Sequence, residues 1–326
     1  MTVGLQYGFR NPPHVGRPVD RFYQQSLEQI RWADTAGFGS IWVSEHHFKE
    51  DGDLPSPLIL ASAVLASTKN VRVATNIILL PLHHPLRVAE ESAILSIISG
   101  GRFQLGVGAG YVDTEFAAFG EDLALRPTAM EEGIEILRQA WTGKRFRFQG
   151  KRWDLPEIAV SPFPPSGEVP LFVGGITPAG VRRAARLGDG FIAGYASAIP
   201  TYLQELDKNG KGAENGRVAV NQWAVIAEDP ERAWETIGPH AVRQLNHYVA
   251  TGGWGDAPPF ADAADVLNRG AYVLWDGPQA VSALTAQQKE FPQITDQILQ
   301  SFVPGESVDS SNERLEYIAR AVLPHL

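Results

Sequence analysis

The chain reads as an α/β protein, a (β/α)8 TIM barrel with insertions. Three observations predict it. Strand and helix patterns alternate almost from end to end. Eight strand candidates can be placed in that alternation, which favours a closed barrel over an open doubly wound sheet. The stretch from Val71 to Gly110 is a complete βαβ unit: an apolar β-branched run to Leu80, a helix opened by Pro85, and a second apolar strand ending in glycines. Residues 1–326 form one barrel domain on this reading. The length exceeds the roughly 250 residues of a plain barrel, so insertions are expected near 111–127, 146–168 and 250–265.

The elements follow in order. Val3 to Gly8 is the first strand. A helix after Asp20 carries Phe22, Leu27, Ile30 and Ala33 on one face and ends at Gly37. Ser40 to Ser44 is the second strand, and Pro57 to Ser67 a helix. The third and fourth strands belong to the βαβ unit, with the helix Pro85–Ser99 between them. Tyr111 to Pro127 is a loop, and Thr128 to Trp141 a helix. Phe146 to Leu155 is an excursion with its own short strand pair, and Pro162 to Pro165 an extended linker. Pro170–Val173, Gly190–Ala193, Val218–Ala227 and Thr295–Val303 are strands five to eight. Helices cover Pro178–Leu187, most of 228–250, Pro278–Lys289 and Asn312–Val322. The Gly- and Pro-rich stretch from Thr251 to Phe260 reads as a mobile insertion.

Composition excludes several function classes. Hydrophobic residues make up 44% and charged residues 20%, as in a globular protein with ample core. A net charge of −9 argues against a nucleic-acid or anionic-membrane surface. There is no cysteine, hence no disulfide, thiolate metal site or cysteine nucleophile. No apolar run approaches the ~20 residues that span a bilayer, and the start of the chain lacks a signal-peptide pattern. A cytoplasmic protein is expected.

Candidate chemistry clusters after the second strand, at Glu45-His46-His47. Neighbouring strand residues point to opposite faces, so both histidines cannot face the lumen unless the strand has ended. The His-x-His spacing of metal-dependent barrel hydrolases is absent. Three readings stay open: metal ligation, solvated capping histidines, or one histidine acting as acid, base or hydrogen-bond donor. His83-His84-Pro85 follows the third strand similarly, although Pro85 also fits a plain helix start. Gly174-Gly175-Ile176-Thr177-Pro178 joins a strand to a helix whose free N–H groups could hold phosphate. Neither a dinucleotide fingerprint nor a P-loop occurs, since Gly106-x-Gly108-x-Gly110 lacks the third glycine spacing.

Taken together, Ser44-Glu45-His46-His47-Phe48, Leu79-Leu80-Pro81-x-x-His84-Pro85-Leu86-Arg87-x-x-Glu90, Ser99-Gly100-Gly101-Arg102-Phe103-x-Leu105-Gly106-x-Gly108-x-Gly110, Val173-Gly174-Gly175 and Ala184-Ala185-Arg186-Leu187-Gly188-Asp189-Gly190 resemble the bacterial luciferase-like flavin monooxygenase family. The matches run in family order from about residue 3 to 323. The resemblance implies a flavin at the carboxyl ends of the strands, with His46 assisting the flavin–oxygen chemistry. It implies a non-proline cis peptide at Asn76–Ile77 beneath the ring. The isoalloxazine edge would lie by Gly108, Ala109 and Gly110, and the phosphate on Gly174, Gly175, Ile176 and Thr177. Where the luciferase α subunit has cysteine and arginine this chain has Gly108 and Ala109, which puts light emission and long-chain aldehydes in question.

The resulting expectation is a two-component monooxygenase that takes reduced FMN from a separate flavin reductase and oxidises a small organic substrate with O2. His46 is the expected catalytic residue. Tyr111, Trp254 and Phe260 are expected walls of the substrate pocket. A deazaflavin-dependent dehydrogenase or reductase of the same fold is the main alternative, and a metal-dependent barrel hydrolase the second. No metal is expected. The helices Pro57–Ser67 and Pro85–Ser99 carry apolar residues on more than one face, which suggests a homodimer.

Overall fold

The computed structural model describes residues 1–326. Eight parallel strands close on themselves: β1 (Thr2–Tyr7), β2 (Ser40–Val43), β3 (Arg72–Thr75), β5 (Phe103–Gly108), β8 (Leu171–Gly174), β9 (Gly190–Ala193), β10 (Val218–Gln222) and β13 (Ile294–Gln300). The pairing of β1 with β13 and of β3 with β5 leaves no free barrel edge. A two-residue strand β4 (Ile78–Leu79) continues the third strand after the cis peptide Asn76–Ile77 and pairs with the end of β5. The (β/α)8 barrel expected from the alternation is therefore the fold.

Between the strands run α1 (Val19–Ala36), α2 (Pro57–Ser67), α3 (Pro85–Ser99), α5 (Arg126–Trp141), α6 (Pro178–Leu187), α7 (Ile199–Lys208), α8 (Pro230–Ala250), α10 (Gly277–Glu290) and α11 (Val308–Ala321). The strands bury both faces, so two apolar clusters form. Trp42, Ala74, Phe172, Ile192, Ala219 and Ile298 fill the lumen. A larger shell, including Leu5, Ile41, Val73 and Leu105, packs between strands and helices. A polar plug closes the amino-terminal end. There the buried Asp296 carboxylate accepts hydrogen bonds from Thr2 and Ser40 at 2.8 Å and pairs with Arg72 at 2.8 Å.

The insertions hold more structure than expected. The stretch read as a loop contains α4 (Asp113–Ala118) and a 3-10 turn at Leu123–Leu125, and α5 starts two residues early at Arg126. The 146–168 excursion does hold a strand pair, β6 (Phe146–Gln149) and β7 (Asp154–Ile158), packed on Ile136 of α5. The seventh strand breaks at Trp223. Its second half, β11 (Ala224–Ile226), leaves the barrel to pair with β12 (Val273–Trp275), which follows α9 (Ala263–Asn268). No helix is long and apolar enough to cross a membrane.

Candidate active site

The carboxyl ends of the strands surround a cavity walled by Phe9, Tyr111, Tyr195, Trp223, Tyr248 and Trp254 and floored by carboxamides. Asn76, at the end of β3, donates from its amide to Gln6 Oε1 at 2.8 Å and to Asn221 Oδ1 at 2.9 Å. These bonds tie three strand ends into one polar floor. Carboxamides suit this place because each can satisfy a neighbour and still present a donor or acceptor upward.

His46 stands on the rim just past β2 and lines the cavity. Its Nδ1 lies 3.1 Å from Glu115 Oε1, and the His47 amide donates to that same oxygen at 3.0 Å. Lys49 Nζ is 3.7 Å from it. Burial opposes the charge on Glu115, but the bonds from His46 and His47 and the nearby Lys49 outweigh it and hold the carboxyl below its ordinary value. For His46 burial again opposes ionisation. The Glu115 hydrogen bond and the charge of Asp53 prevail, and the imidazole pKa is raised. An ionised Glu115 can only accept, so Nδ1 carries a proton and Nε2 is the nitrogen free to act on a ligand. The sequence reading missed Glu115. It sits on α4, inside the insertion, and only the fold brings it back over β2.

Glu45 and His47 serve structure. Glu45 is fully buried, and its Oε1 accepts from His47 Nε2 at 2.9 Å and from His83 Nε2 at 2.7 Å. The Leu79 amide donates to Oε2 at 2.6 Å. Burial raises the carboxyl pKa, yet the two histidines and the Leu79 amide overcome it and bring it down to about 2. This carboxylate clamps the end of β2 to β4, beside the cis peptide. His84 caps α3, accepting from the Leu86 amide at 3.3 Å, and packs on Trp153. Both oxygens of Glu45 are thus engaged, and no group of three or more His, Cys, Asp or Glu side chains is arranged to hold a metal ion. Nothing here supports the hydrolase alternative.

The other expected site residues divide. Asn76, Ile176, Tyr111 and Trp254 line the cavity with His46. Phe260 does not: it is buried behind Trp254, ring centroids 5.3 Å apart, in a separate cluster with Trp234 and Ile237. It supports the wall instead of forming it. Gly108 does not present bare backbone to the cavity either, because the Ile77 side chain fills the space. A Cβ on Gly108 would lie 1.9 Å from Ile77 Cδ1, and one on Gly174 would lie 3.1 Å from Ile77 Cγ2. Ala109 and Gly110 follow at the end of β5, where Gly110 takes φ +73° and packs on Phe116. Gly175 meets the backbone of Gly180 in α6, where a Cβ would come within 2.6 Å. Thr177 caps α6, accepting from the Gly180 amide at 3.2 Å. The run from Ile176 to Ala179 is exposed, and Ile176 belongs both to the cavity wall and to this helix start.

Residues 1–322 match the family described as luciferase-like monooxygenase. The chain belongs to that family. Membership makes it an oxidoreductase and agrees with the resemblance carried by the strand-end motifs. Among relatives of this luciferase-like chain, 4-hydroxyprotoasukamycin monooxygenase of Streptomyces nodosus subsp. asukaensis is 31% identical over 74% of the chain and 70% of the relative. The F420-dependent glucose-6-phosphate dehydrogenase of Amycolatopsis mediterranei is 30% identical over 53% of the chain and 54% of the relative. The chain spans 59% of the length of an uncharacterized Sinorhizobium fredii protein, y4vJ, to which it is 29% identical over 62% of its own length. The solved monooxygenase RslO1 of Streptomyces bottropensis superimposes with a TM-score of 0.85 at 23% identity, over 100% of this chain and 99% of that one. The oxygenating constituent of 3,6-diketocamphane monooxygenase of Pseudomonas putida, in complex with FMN, gives 0.76 at 20% identity over 99% and 98%. At these identities the two structures speak for the fold.

Proposed function

We propose that this protein is the oxygenase component of a two-component FMN-dependent monooxygenase acting on a small organic substrate. One observation carries the reading. His46, oriented by Glu115, stands on the wall of a cavity that reaches the α6 helix start through Ile176.

The residues present fit the cofactor. Pro178 carries no N–H and Thr177 caps the Gly180 N–H, so a phosphate would meet the Ala179 N–H and the turn before it, half-buried at Gly174 and Gly175 and exposed at Ile176 and Thr177. Asn76 and Ile77 lie between that turn and His46, where a flat ring would rest, and Gly108, Ala109 and Gly110 border the same end of β5. Ile77 fits the role of the platform, since two glycines make space for its side chain. Bound reduced FMN would supply the electrons and activate O2. Around it the chain supplies walls and proton control. Tyr111, Trp254 and Tyr195 exclude water, and His46 holds a proton at Nε2 for an oxygen-centred anion. A relative named as the oxygenase component of flavin-dependent trigonelline monooxygenase, from Acinetobacter baylyi and 29% identical over 46% of this chain, supports a partner reductase.

The F420-dependent relative supports a second reading, a deazaflavin-dependent dehydrogenase. Titration with FMN, reduced FMN and F420, followed by flavin fluorescence, separates the two. Tight reduced FMN and O2 uptake support the monooxygenase, whereas binding of F420 alone replaces it.

We also infer a homodimer built on α2 and α3. Ile59, Ile94, Ile97 and Ile98 are exposed there. The β6–β7 excursion, the other candidate cover, packs on α5 and meets α3 at its start, at His84 and Leu86.

A further inference from the structure

We infer that Arg10 and Trp223 form a donor pair selecting a neutral, acceptor-bearing ring compound, a ketone or quinone type, as the molecule admitted to the cavity. The inference rests on the cavity being the substrate site of the proposed oxygenase.

Two buried donors on one wall carry it. Arg10 Nη1 and Trp223 Nε1 are both shut off from solvent and have no acceptor in the protein. Both residues line the cavity. Tyr248 stands between them, its ring centroid 5.8 Å from Arg10 Cζ and 6.1 Å from the Trp223 ring. A guanidinium and an indole can only donate, so each of these N–H groups needs an acceptor. An unmet buried donor is a standing cost to the fold, which an acceptor oxygen on a ligand removes.

Charge decides which acceptor. Arg10 is only 9% exposed and already faces two carboxylates, Asp51 at 2.6 Å and Asp53 at 3.7 Å. Asp51 Oδ1 is itself buried without a donor. A third carboxylate brought to Nη1 would compete with Asp51 and Asp53 for one guanidinium. A carbonyl oxygen accepts from either donor and adds no charge. Aromatic walls at Phe9, Tyr111 and Trp254 suit a flat ring beneath that carbonyl.

Three probes of one ring test this: acetophenone, benzoate and ethylbenzene, with dissociation constants from calorimetry or ligand-observed NMR. Acetophenone is expected to bind at least about 10-fold tighter than either of the others. Trp223→Phe, which keeps an aromatic wall and removes the N–H, is expected to shrink that preference below about 3-fold and leave ethylbenzene unchanged. Arg10→Lys, which keeps a cation for Asp51, is expected to act in the same direction. Thermal melting checks that both variants fold. Wild-type affinities within about 3-fold of one another, or benzoate binding tightest, overturn the inference. So does an intact acetophenone preference in Trp223→Phe. FMN affinity is measured on the same proteins. Weakened FMN with an intact acetophenone preference assigns the donors to the flavin carbonyls and also overturns it. Failure of the wild type to bind FMN counts against the proposed cofactor, while the probe series still reads the donor pair.

Discussion

The Glu115 carboxylate holds His46 from 69 residues away, Oε1 to Nδ1 at 3.1 Å, so an insertion helix controls the proton on a barrel-rim histidine. The raised imidazole pKa and the lowered carboxyl pKa both express this pairing. For His46, the stability gained is fully present below its ordinary pKa and is lost as pH rises through the raised one. For Glu115, it is present above the ordinary carboxyl value and lost as pH falls through the lowered one. Glu115→Gln keeps a hydrogen-bond acceptor but removes the charge. If the protonated imidazole is the working form, the alkaline fall in turnover should move to lower pH in this variant. A pH–rate profile checks it, and an unmoved alkaline limb would show that His46 does not titrate in the cycle.

His46 itself lies outside the apolar core, on a segment past the end of β2. His46→Ala should cut turnover by roughly 100-fold or more, the scale of general acid–base assistance, with FMN affinity little changed and only a modest fall in melting temperature from the lost Glu115 bond. Coupling of O2 uptake to product at the wild-type level in this variant would remove His46 from the chemistry.

Glu45 should behave in the opposite manner. Three donors converge on its buried carboxylate. With the folded pKa near 2, its contribution is present above the ordinary carboxyl value and disappears as pH falls towards 2. Glu45→Gln leaves donors facing an amide and should destabilise the fold by about 3 kcal/mol, the scale of breaking a buried charged pair. Urea denaturation measures it. A loss of turnover at unchanged stability would instead give Glu45 a direct role in the reaction.

These three acids and histidines show where sequence reading reaches and where it stops. The barrel was legible because buried parallel strands are continuous apolar runs, and because Pro57, Pro85 and Pro178 mark helix starts. His46 stood out because its strand ends there. Glu115 did not, since six helical residues carry too few turns to show a period. The three-residue strand β12 was equally silent, being defined by its partner β11 and not by its own pattern. Helix α7 was different: Ile199, Tyr202 and Leu206 sit at helical spacing and are buried, so the signal was present and unread. The glycines of β5 misled in detail. The missing Cβ of Gly108 serves Ile77 and that of Gly106 serves Thr75, contacts that spacing along the chain cannot reveal.

The phosphate position calls for a substitution that spares the turn. Gly175→Val is unsuitable, because its side chain would run into the Gly180 backbone and disturb α6 itself. Ile176 is 59% exposed and tolerates replacement. Ile176→Asp places a negative charge at the helix start, where it suits the dipole but repels phosphate. FMN affinity should fall by roughly 10-fold, while riboflavin, which lacks the phosphate, should be far less affected. Equal losses for both ligands would move the phosphate elsewhere on the rim.

The apolar face of α2 and α3 yields the last test. Ile59 is 74% exposed and Ile98 53%, on neighbouring helices, with nothing of this chain folded over them. Scattered exposed isoleucines need no explanation, but four on two adjacent helices form a patch that a monomer would leave against water. Burying such side chains is worth about 1.5–3 kcal/mol each, and a symmetric dimer buries every one twice. Ile59→Lys with Ile98→Lys should therefore shift the protein from twice the chain mass to the 35.5 kDa of one chain, without lowering its melting temperature in the monomeric state. Light scattering near micromolar concentration reads the mass directly. A wild-type protein already at 35.5 kDa would show that the patch is not a self-association surface.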